Sequence, residues 1–234
     1  MGIKYKVNEK FFDKWDRPMA YVLGFFCADG SLEDAMYLRG KYVRFVSTDE
    51  SVIVGIRKVL GSEHTIYKVK KRVSNRKTQH LLRIGSHVLF DVLFKLGLRP
   101  NKSLTMRLPK IPNKYFGDFV RGYFDGDGCV YIGFGKQKLP KNLLIALTSG
   151  SADFLEDLRK RINLACNFCK NNVYISHRSF QIRYNTEQSI KLFCLMYKDT
   201  KGGQYLKRKK DIFRRYFKLR PNKVNKKIKQ IMAW

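Results

Sequence analysis

Negative charge is scarce in this sequence. There are 19 Asp and Glu residues against 48 Lys and Arg, so the formal net charge over 234 residues is +29. An excess of this size favours nucleic acid as the partner, because neutralised phosphates release their condensed counterions. An anionic membrane surface is the alternative that charge alone leaves open. Hydrophobic residues make up 44% of the chain and aromatic residues 14%, which excludes a disordered polyelectrolyte.

Long hydrophobic runs are also missing. The longest, Met19–Ala28, reaches only about half of the roughly 20 residues that a membrane span needs. The first residues lack the apolar core of a signal peptide, and the five cysteines are odd in number and scattered. Cys166 and Cys169 form a lone CxxC, for which core positions are favoured over a zinc or redox site. We expect an intracellular protein of the cytoplasm, nucleoid or organelle matrix, neither secreted nor in a membrane.

Two stretches of the chain follow one pattern. The first reads YVLGFFCADG at residues 21–30, and the second reads FVRGYFDGDG at residues 119–128. Gly24 and Gly122 are 98 positions apart, and so are Asp29 and Asp127. A fixed offset of this kind indicates an internal duplication. Each stretch predicts a helix that is buried on all sides, in which glycine lets a second helix backbone approach closely.

The segments that follow the two stretches repeat as well. Apolar periodicity and helix-start residues predict, after each helix, two strands, a helix, two strands and another helix. The predicted fold class is therefore α+β, built from two pseudo-symmetric α-β-β-α-β-β-α halves with antiparallel sheets. The first half covers residues 1–99 and the second covers 117–234, which ends in a basic helix and tail. Residues 100–116, with three prolines, are predicted to be a linker.

The predicted strands alternate charged with apolar residues. In one strand, Tyr67 and Val69 are predicted on an apolar face, and Lys68 and Lys70 on a basic face. A basic, amide-bearing face can enter the major groove of DNA, where Arg, Lys and Gln read base edges. An ordinary solvated face is the alternative. The candidate DNA-binding residues are Arg44, Lys68, Lys70, Arg72, Arg76, Lys77, Arg83, Lys136, Lys138, Arg178, Gln181 and Arg183.

An aspartate ends each of the two buried helices. If the helices pack about a pseudo-twofold axis, Asp29 and Asp127 come close together, and their charges would repel without a cation between them. Oxygen ligands suit Mg²⁺, with Mn²⁺ as the expected substitute. A divalent metal beside a basic DNA-binding face is suited to phosphodiester hydrolysis. The alternative is that each aspartate ends its helix through an Asx turn before glycine.

The strings VLGFFCADG at 22–30 and VRGYFDGDG at 120–128 resemble the two motifs of the LAGLIDADG homing endonucleases, in their single-chain, double-motif form. The first departs from the family pattern at Cys27, where the family usually has an acid. The resemblance implies a monomeric endonuclease whose two sheets form a saddle on double-stranded DNA. It further implies a metal-dependent double-strand break in a long, asymmetric target, and a mobile gene that is intron-encoded or free-standing.

Residue roles are implied by the same resemblance. The implied metal ligands are the carboxylates of Asp29 and Asp127 and the carbonyl groups of Ala28 and Gly126. Each half of the family fold also has a lysine near the cleavage centre. The implied lysines are Lys102 in the first half and Lys209 in the second, with Lys207 as the reserve. Phosphate contact or solvation is the alternative role for these lysines.

Two other functions fit part of the sequence. One is a cleavage-inactive member of the family, acting as a maturase on intron RNA or as a DNA-binding regulator. The other is a basic ribonucleoprotein component, which leaves the duplicated motif without a use. Retention of both aspartates favours cleavage. The chain has no Cys or Ser at its start, so we do not expect protein splicing.

Overall fold

The computed structural model describes residues 5–35, 40–70, 77–135, 139–169, 171–200 and 202–233. The chain contains the same order of helices and strands twice, as the sequence predicts, and the α+β class is confirmed. The first copy consists of α1 (Arg17–Asp29), β1 (Gly30–Ala35), β2 (Gly40–Ser47), α2 (Glu50–Val59), β3 (Ile66–Val69), β4 (Gln79–Gly85) and α3 (His87–Lys95). The second consists of α4 (Phe116–Asp127), β5 (Gly128–Phe134), β6 (Pro140–Ser149), α5 (Ala152–Cys166), β7 (Val173–Ser176), β8 (Ser179–Tyr184) and α6 (Thr186–Tyr197).

Two further helices follow α6. They are α7 (Lys207–Leu219) and α8 (Lys226–Met232). The basic tail that was expected after the last predicted helix therefore folds in part. Ile228 and Ile231 are buried, and Asn225 caps α8 by accepting a hydrogen bond from the Ile228 amide at 2.9 Å. In the parts of the chain that the structure describes, no helix is long and apolar enough to cross a membrane.

The chain divides into two compact units. Unit 1 consists of Met1–Lys102 and Pro109–Gly126, and unit 2 consists of Ser103–Leu108 and Asp127–Trp234. Helix α4 thus belongs to unit 1 almost to its end, although it carries the second copy of the motif. The predicted domain bounds follow the duplication in the sequence, whereas the two units follow compactness, so those bounds stay a prediction.

Each unit contains a four-stranded antiparallel sheet. The strand order is β1-β2-β4-β3 in unit 1 and β5-β6-β8-β7 in unit 2. In unit 1, α2 packs on β2 and β4, and α3 packs on β2. In unit 2, α5 and α6 pack on β6 and β8. Alternate strand residues point into these helix-covered faces, and Phe45 and Leu82 in unit 1 and Leu147 and Ile182 in unit 2 are fully buried.

Helix α1 has clear start and stop signals. Its N-cap is Asp16, whose carboxylate accepts a hydrogen bond from the Met19 amide at 2.7 Å, and a proline stands in its first turn. The helix ends at Asp29 and is followed by Gly30, where a Cβ would lie 2.3 Å from the Phe26 ring. Only glycine fits there, so the chain leaves α1 directly into β1 with Asp29 at the junction.

Candidate active site and nucleic-acid interface

Helices α1 and α4 pack against each other in unit 1 through two glycines. A Cβ added to Gly24 would lie 2.0 Å from the carbonyl oxygen of Phe119. One added to Gly122 would lie 2.0 Å from the carbonyl oxygen of Tyr21. No side chain is accommodated at such distances, so glycine at both positions is what lets the backbones meet. The matching distances give this helix pair a twofold-like symmetry.

The ends of these helices also come together in unit 1. A Cβ added to Gly126 would lie 2.4 Å from the Cβ of Ala28 and 3.3 Å from Oδ2 of Asp29. The carboxylate of Asp29 therefore lies against the last turn of α4. Asp127 is the next residue in the chain and the last of that helix. Both aspartates are partly exposed.

Lys102 is buried beside the end of α1. Only 5% of the residue is exposed, and its Nζ donates a hydrogen bond to the carbonyl oxygen of Cys27 at 2.9 Å. Carbonyl groups in the last turn of a helix lack intrahelical donors, so the ammonium group supplies a hydrogen bond that the helix itself does not provide. Its Nζ also lies 5.6 Å from the centre of the Phe26 ring. The contact places a cationic group two residues before Asp29.

Lys209 has a related position in unit 2. It lies in the first turn of α7 and is 4% exposed, and its Nζ donates a hydrogen bond to the carbonyl oxygen of Gly128 at 2.5 Å. Gly128 follows Asp127 directly. Lys207, the reserve, is exposed. The adjacent Lys210 was not anticipated: it is fully buried, with its Nζ 4.4 Å from the centre of the Tyr205 ring.

Helix α4 contains a buried polar cluster that sequence reasoning did not anticipate. Asp125 is 4% exposed and accepts a hydrogen bond from the Tyr21 hydroxyl at 2.9 Å. Asp118 forms ion pairs with Arg121 at 2.8 Å and with Arg17 at 3.1 Å. All of these contacts lie within unit 1. The pairing of Tyr21 with Asp125 spans 104 positions, so no local pattern reveals it.

The residues of α1 that correspond to this cluster, at the offset of 98, are apolar. Asp118 corresponds to Ala20, and Asp125 corresponds to Cys27. Cys27 is buried, and this burial raises the pKa of its thiol to about 12, although the charge of Lys102 acts in the opposite direction. The thiol therefore stays protonated and acts as a small core side chain rather than as a metal ligand.

The donors at the helix ends are oxygens. The carboxylate of Asp29 and the carbonyl of Ala28 lie at the end of α1, and the corresponding groups of Asp127 and Gly126 lie at the end of α4. Oxygen donors of this kind fit a hard divalent cation. Among the described residues, no group of three or more His, Cys, Asp or Glu side chains could hold a metal.

In each sheet, we call the face opposite to the packed helices the uncovered face. In unit 1 this is the face opposite to α2 and α3, and it is charged at its centre and apolar toward one edge. Arg44 of β2 and Arg83 of β4 stand opposite each other in the strand pairing. Val46 and Leu81 form the next pair on this face, and Tyr67 of β3 lies beside Leu81. As the alternation of charged with apolar residues predicts, Arg83 lies on the face opposite to the buried Leu82 and Ile84.

The predicted faces of β3 are wrong. Tyr67 and Val69 share the uncovered face with Leu81, and they are 53% and 40% exposed. Lys68 pairs with His80 on the helix-covered side and lies 3.6 Å from Glu50 of α2. The alternation itself was correct, but β3 is a short edge strand, and there a lysine can extend past the sheet on the covered side. Alternation alone does not say which side a neighbouring helix covers.

On the uncovered face of the unit 2 sheet, polar and aromatic residues stand side by side. Arg183 lies beside Ala146, and Gln181 lies between Thr148 and Tyr174. Arg183 is exposed, and its Nε donates a hydrogen bond to Oε1 of Gln181 at 2.6 Å. The opposing residues of β8 are the fully buried Ile182 and Tyr184. This face can present hydrogen-bond donors and acceptors to a groove.

The remaining candidate DNA-binding residues lie near the strand ends. Lys70 and Lys77 are exposed in the connection between β3 and β4, and Arg178 is exposed in the turn between β7 and β8. The rest lie outside the described residues; they are Arg72, Arg76, Lys136 and Lys138.

Comparison with known proteins gives one family. Residues 117–191 match the family model of the LAGLIDADG-like domain. The solved meganuclease I-AabMI bound to uncleaved DNA has a similar fold: the TM-score is 0.56, the identity is 14%, and the match covers 92% of this chain and 97% of that one. A variant of the homing endonuclease I-DmoI, in complex with nicked target DNA in the presence of Mn, gives a TM-score of 0.50 at 16% identity, over 76% of this chain and 93% of that one.

Curated relatives match over a small part of their length. The reverse gyrase of Methanocaldococcus jannaschii is 26% identical over 159 residues, which is 68% of this chain. This chain spans only 8 to 14% of the length of the first such relatives. The resemblance predicted from the two motifs is confirmed in two respects: residues 117–191 match the LAGLIDADG-like domain model, and the chain has the fold of the solved LAGLIDADG homing endonucleases.

Proposed function

We propose that this protein is a site-specific DNA endonuclease that makes a double-strand break in a long, asymmetric target with the help of a divalent metal. The observation that carries the proposal is the packing of α1 and α4 through Gly24 and Gly122, which brings the carboxylate of Asp29 against the last turn of the second motif helix. The meganuclease I-AabMI and the I-DmoI variant, which have a similar fold, are nucleases solved in complex with DNA. The strong positive charge supports DNA as the partner.

In this proposal the helix ends hold the metal. Asp29 and Asp127 supply carboxylates, and the carbonyls of Ala28 and Gly126 supply further oxygens. Mg²⁺ is the expected ion, with Mn²⁺ as its substitute. When bound, the metal supplies activation of water and stabilisation of the developing phosphate charge.

The buried lysines support the reaction in two ways. Lys102 donates a hydrogen bond to the carbonyl of Cys27 at 2.9 Å, two residues before Asp29, and Lys209 donates one to the carbonyl of Gly128 at 2.5 Å, directly after Asp127, so that each lysine orders the backbone near one aspartate. Their ammonium groups also add positive charge where the scissile phosphate would bind, which favours a more negative transition state. Buried, pre-ordered cations are more effective there than solvated ones.

DNA would contact the uncovered faces of the two sheets. Arg83 and Arg183 are the central cations of those faces, and the exposed Lys70, Lys77 and Arg178 would contact the phosphate backbone. Because the side chains of the two sheets differ, two different half-sites can be bound by one monomer without a palindrome. Such a break at a defined site is what the homing of a mobile gene requires.

The test separates cleavage from binding. A cleavage-selected target from a randomised duplex library is incubated with Asp29→Asn, Asp127→Asn and wild-type protein, with and without excess chelator. We expect each substitution to lower double-strand cleavage at least about a hundredfold, while affinity for the target stays similar or rises because a negative charge is removed. Chelator should stop the wild-type reaction, and Mg²⁺ or Mn²⁺ should restore it.

Matched controls make the result interpretable. Asp199→Asn removes a carboxylate from an exposed position outside both motifs, so it should cut at the wild-type rate. Cleavage by both motif variants at the wild-type rate, or in excess chelator, would overturn the metal mechanism. If cleavage selection yields no target, but selection by binding yields a defined sequence that is not cut under any metal, the protein is a cleavage-inactive binding protein.

A further inference from the structure

Three charged side chains meet on the uncovered face of the unit 1 sheet. Glu33 of β1 accepts hydrogen bonds from Nε of Arg83 at 3.1 Å and from its Nη2 at 2.9 Å. The same carboxylate lies 3.6 Å from Nη1 of Arg44. Because Arg44 and Arg83 stand opposite each other in adjacent strands, their like charges would repel without Glu33.

An aromatic ring holds Arg83 from a second direction. The Cζ of its guanidinium lies 3.4 Å from the centre of the Tyr42 ring, which is a stacking distance. Glycines make room for this ring. A Cβ on Gly40 would lie 2.7 Å from ring atoms of Tyr42, and one on Gly85 would lie 3.3 Å from them. Carboxylate and ring together fix the guanidinium before any ligand arrives, which reduces the entropy lost on binding.

Among its described residues, the sheet of unit 2 has no counterpart to this arrangement. At the offset of 98, the residue that corresponds to Glu33 is Tyr131, which is 48% exposed. Arg183 there is hydrogen-bonded to the neutral amide of Gln181 instead of a carboxylate. The acid is therefore a specific feature of one sheet and not a requirement of the strand pairing.

We propose that Glu33 is a specificity-determining positioning residue for Arg83. It holds the guanidinium in an orientation in which Arg83 reads a guanine. Its negative charge also weakens the attraction of Arg44 and Arg83 to the phosphates of non-target DNA. Because Glu33 lies along the Nε–Nη2 edge of Arg83, a base that Arg83 reads would meet the Nη1–Nη2 edge. Guanine presents two acceptors, N7 and O6, that match a bidentate guanidinium. The inference rests on the proposed function, since it concerns recognition of duplex DNA.

Charge gives the second part of the effect. Arg44, Arg83 and Glu33 together carry one net positive charge, and removal of the carboxylate would leave two. Affinity for any DNA depends on phosphate neutralisation, and its dependence on salt steepens with each added contact. An acid inside a basic face therefore weakens non-specific binding more than specific binding, in which the bidentate contact to guanine compensates.

The experiment measures affinity for the selected target and for a scrambled duplex across salt concentrations, in chelator so that no DNA is cut. Glu33→Gln should lower the target-to-scrambled affinity ratio about tenfold, through tolerance at one G·C pair, and should steepen the salt slope on scrambled DNA by about one. Glu33→Asp keeps the charge but is one methylene shorter. It should lose discrimination without a change in salt slope.

Glu63→Gln is the matched control, because it makes the same change in net charge at an exposed position after α2. It should change neither the ratio nor the slope. If wild type prefers its target and both Glu33 variants behave like Glu63→Gln, the role of Glu33 is wrong. If wild type shows no preference for any duplex, the proposed function itself fails. Thermal unfolding confirms that the variants are folded, and the two Glu33 variants test the proposal independently.

Discussion

Helices α1 and α4 share one backbone arrangement but not one interior. Both approach their partner at a glycine, with the same 2.0 Å distance from a hypothetical Cβ to a facing carbonyl oxygen. Around those glycines α4 buries two aspartates and an arginine, whereas the corresponding positions of α1 are apolar. The two copies thus share the backbone contact, where no side chain can substitute for glycine. The side chains around that contact differ between the copies, and residues that contact each other differ together.

This comparison explains Cys27. The Tyr21 hydroxyl donates a hydrogen bond to Asp125, and at the offset of 98 Tyr21 corresponds to Phe119 while Asp125 corresponds to Cys27. Tyr21 and Asp125 supply a hydroxyl and a carboxylate that bind each other, whereas Phe119 and Cys27 at the corresponding positions have neither group. A buried carboxylate without its donor costs about 1–3 kcal/mol or more, so the loss of the hydroxyl at Phe119 favours a side chain such as the Cys27 thiol.

The largest effect is expected where the two helices are alike. Gly24→Ala and Gly122→Ala should each lower the free energy of unfolding in urea by about 3 kcal/mol or more, because the added Cβ would overlap a backbone carbonyl. Gly133→Ala is the control, since its Cβ would lie 3.6 Å from Asn142 in ordinary contact. Clearly unequal losses of unfolding free energy in the two variants would show that the helix pair is not symmetric. Wild-type stability in either variant would refute the close contact at that glycine.

A smaller effect is expected where the helices differ. Tyr21→Phe should destabilise the fold by about 1–3 kcal/mol, because Asp125 loses a buried donor. The double variant Tyr21→Phe with Asp125→Cys introduces the residue types that stand at the corresponding positions, Phe119 and Cys27, and it should recover most of that loss. A double-mutant cycle in urea measures the coupling. Additive losses would show that the two sides of the helix pair did not diverge as matched pairs.

The smallest effect is expected on the sheets. Arg183→Ala should weaken DNA binding about fivefold and reduce the salt slope by about one, since Arg183 is exposed on the uncovered face. Lys68→Ala should change the DNA affinity and the salt slope much less, because Lys68 lies on the helix-covered side near Glu50. Fluorescence anisotropy on one duplex at several salt concentrations measures both quantities. An equal or larger effect for Lys68 would reverse our assignment of the faces.

Several features could be predicted because they depend on local pattern or on repetition. The offset of 98 revealed the duplication, and the period of the apolar residues gave the order of helices and strands. The predicted alternation of charged with apolar residues along single strands agrees with the burial of Leu82 beside Arg83 and of Ile182 beside Arg183. These inferences succeed because residue spacing fixes which side chains share a face of a regular element.

Other features depend on contacts between distant parts of the chain. The side of β3 that a helix covers, the hydrogen bond from Tyr21 to Asp125, and the bridge from Glu33 to Arg83 join residues that no local spacing relates. Burial of Lys210 among tyrosines also follows from packing, since lysine is usually exposed. Propensity and period carry no information on such pairings.

The sequence by itself determined the class of protein: a basic, duplicated α+β chain with a glycine and an aspartate at matched places in two buried helices. Those properties depend on residue type and spacing alone. Only the tertiary structure decided which lysine lies beside Gly128, which arginine is held by Glu33, and why Cys27 stands where Asp125 stands in the other copy. The reason is physical, because a buried polar group is stable only with its partner, and the partner is set by three-dimensional packing.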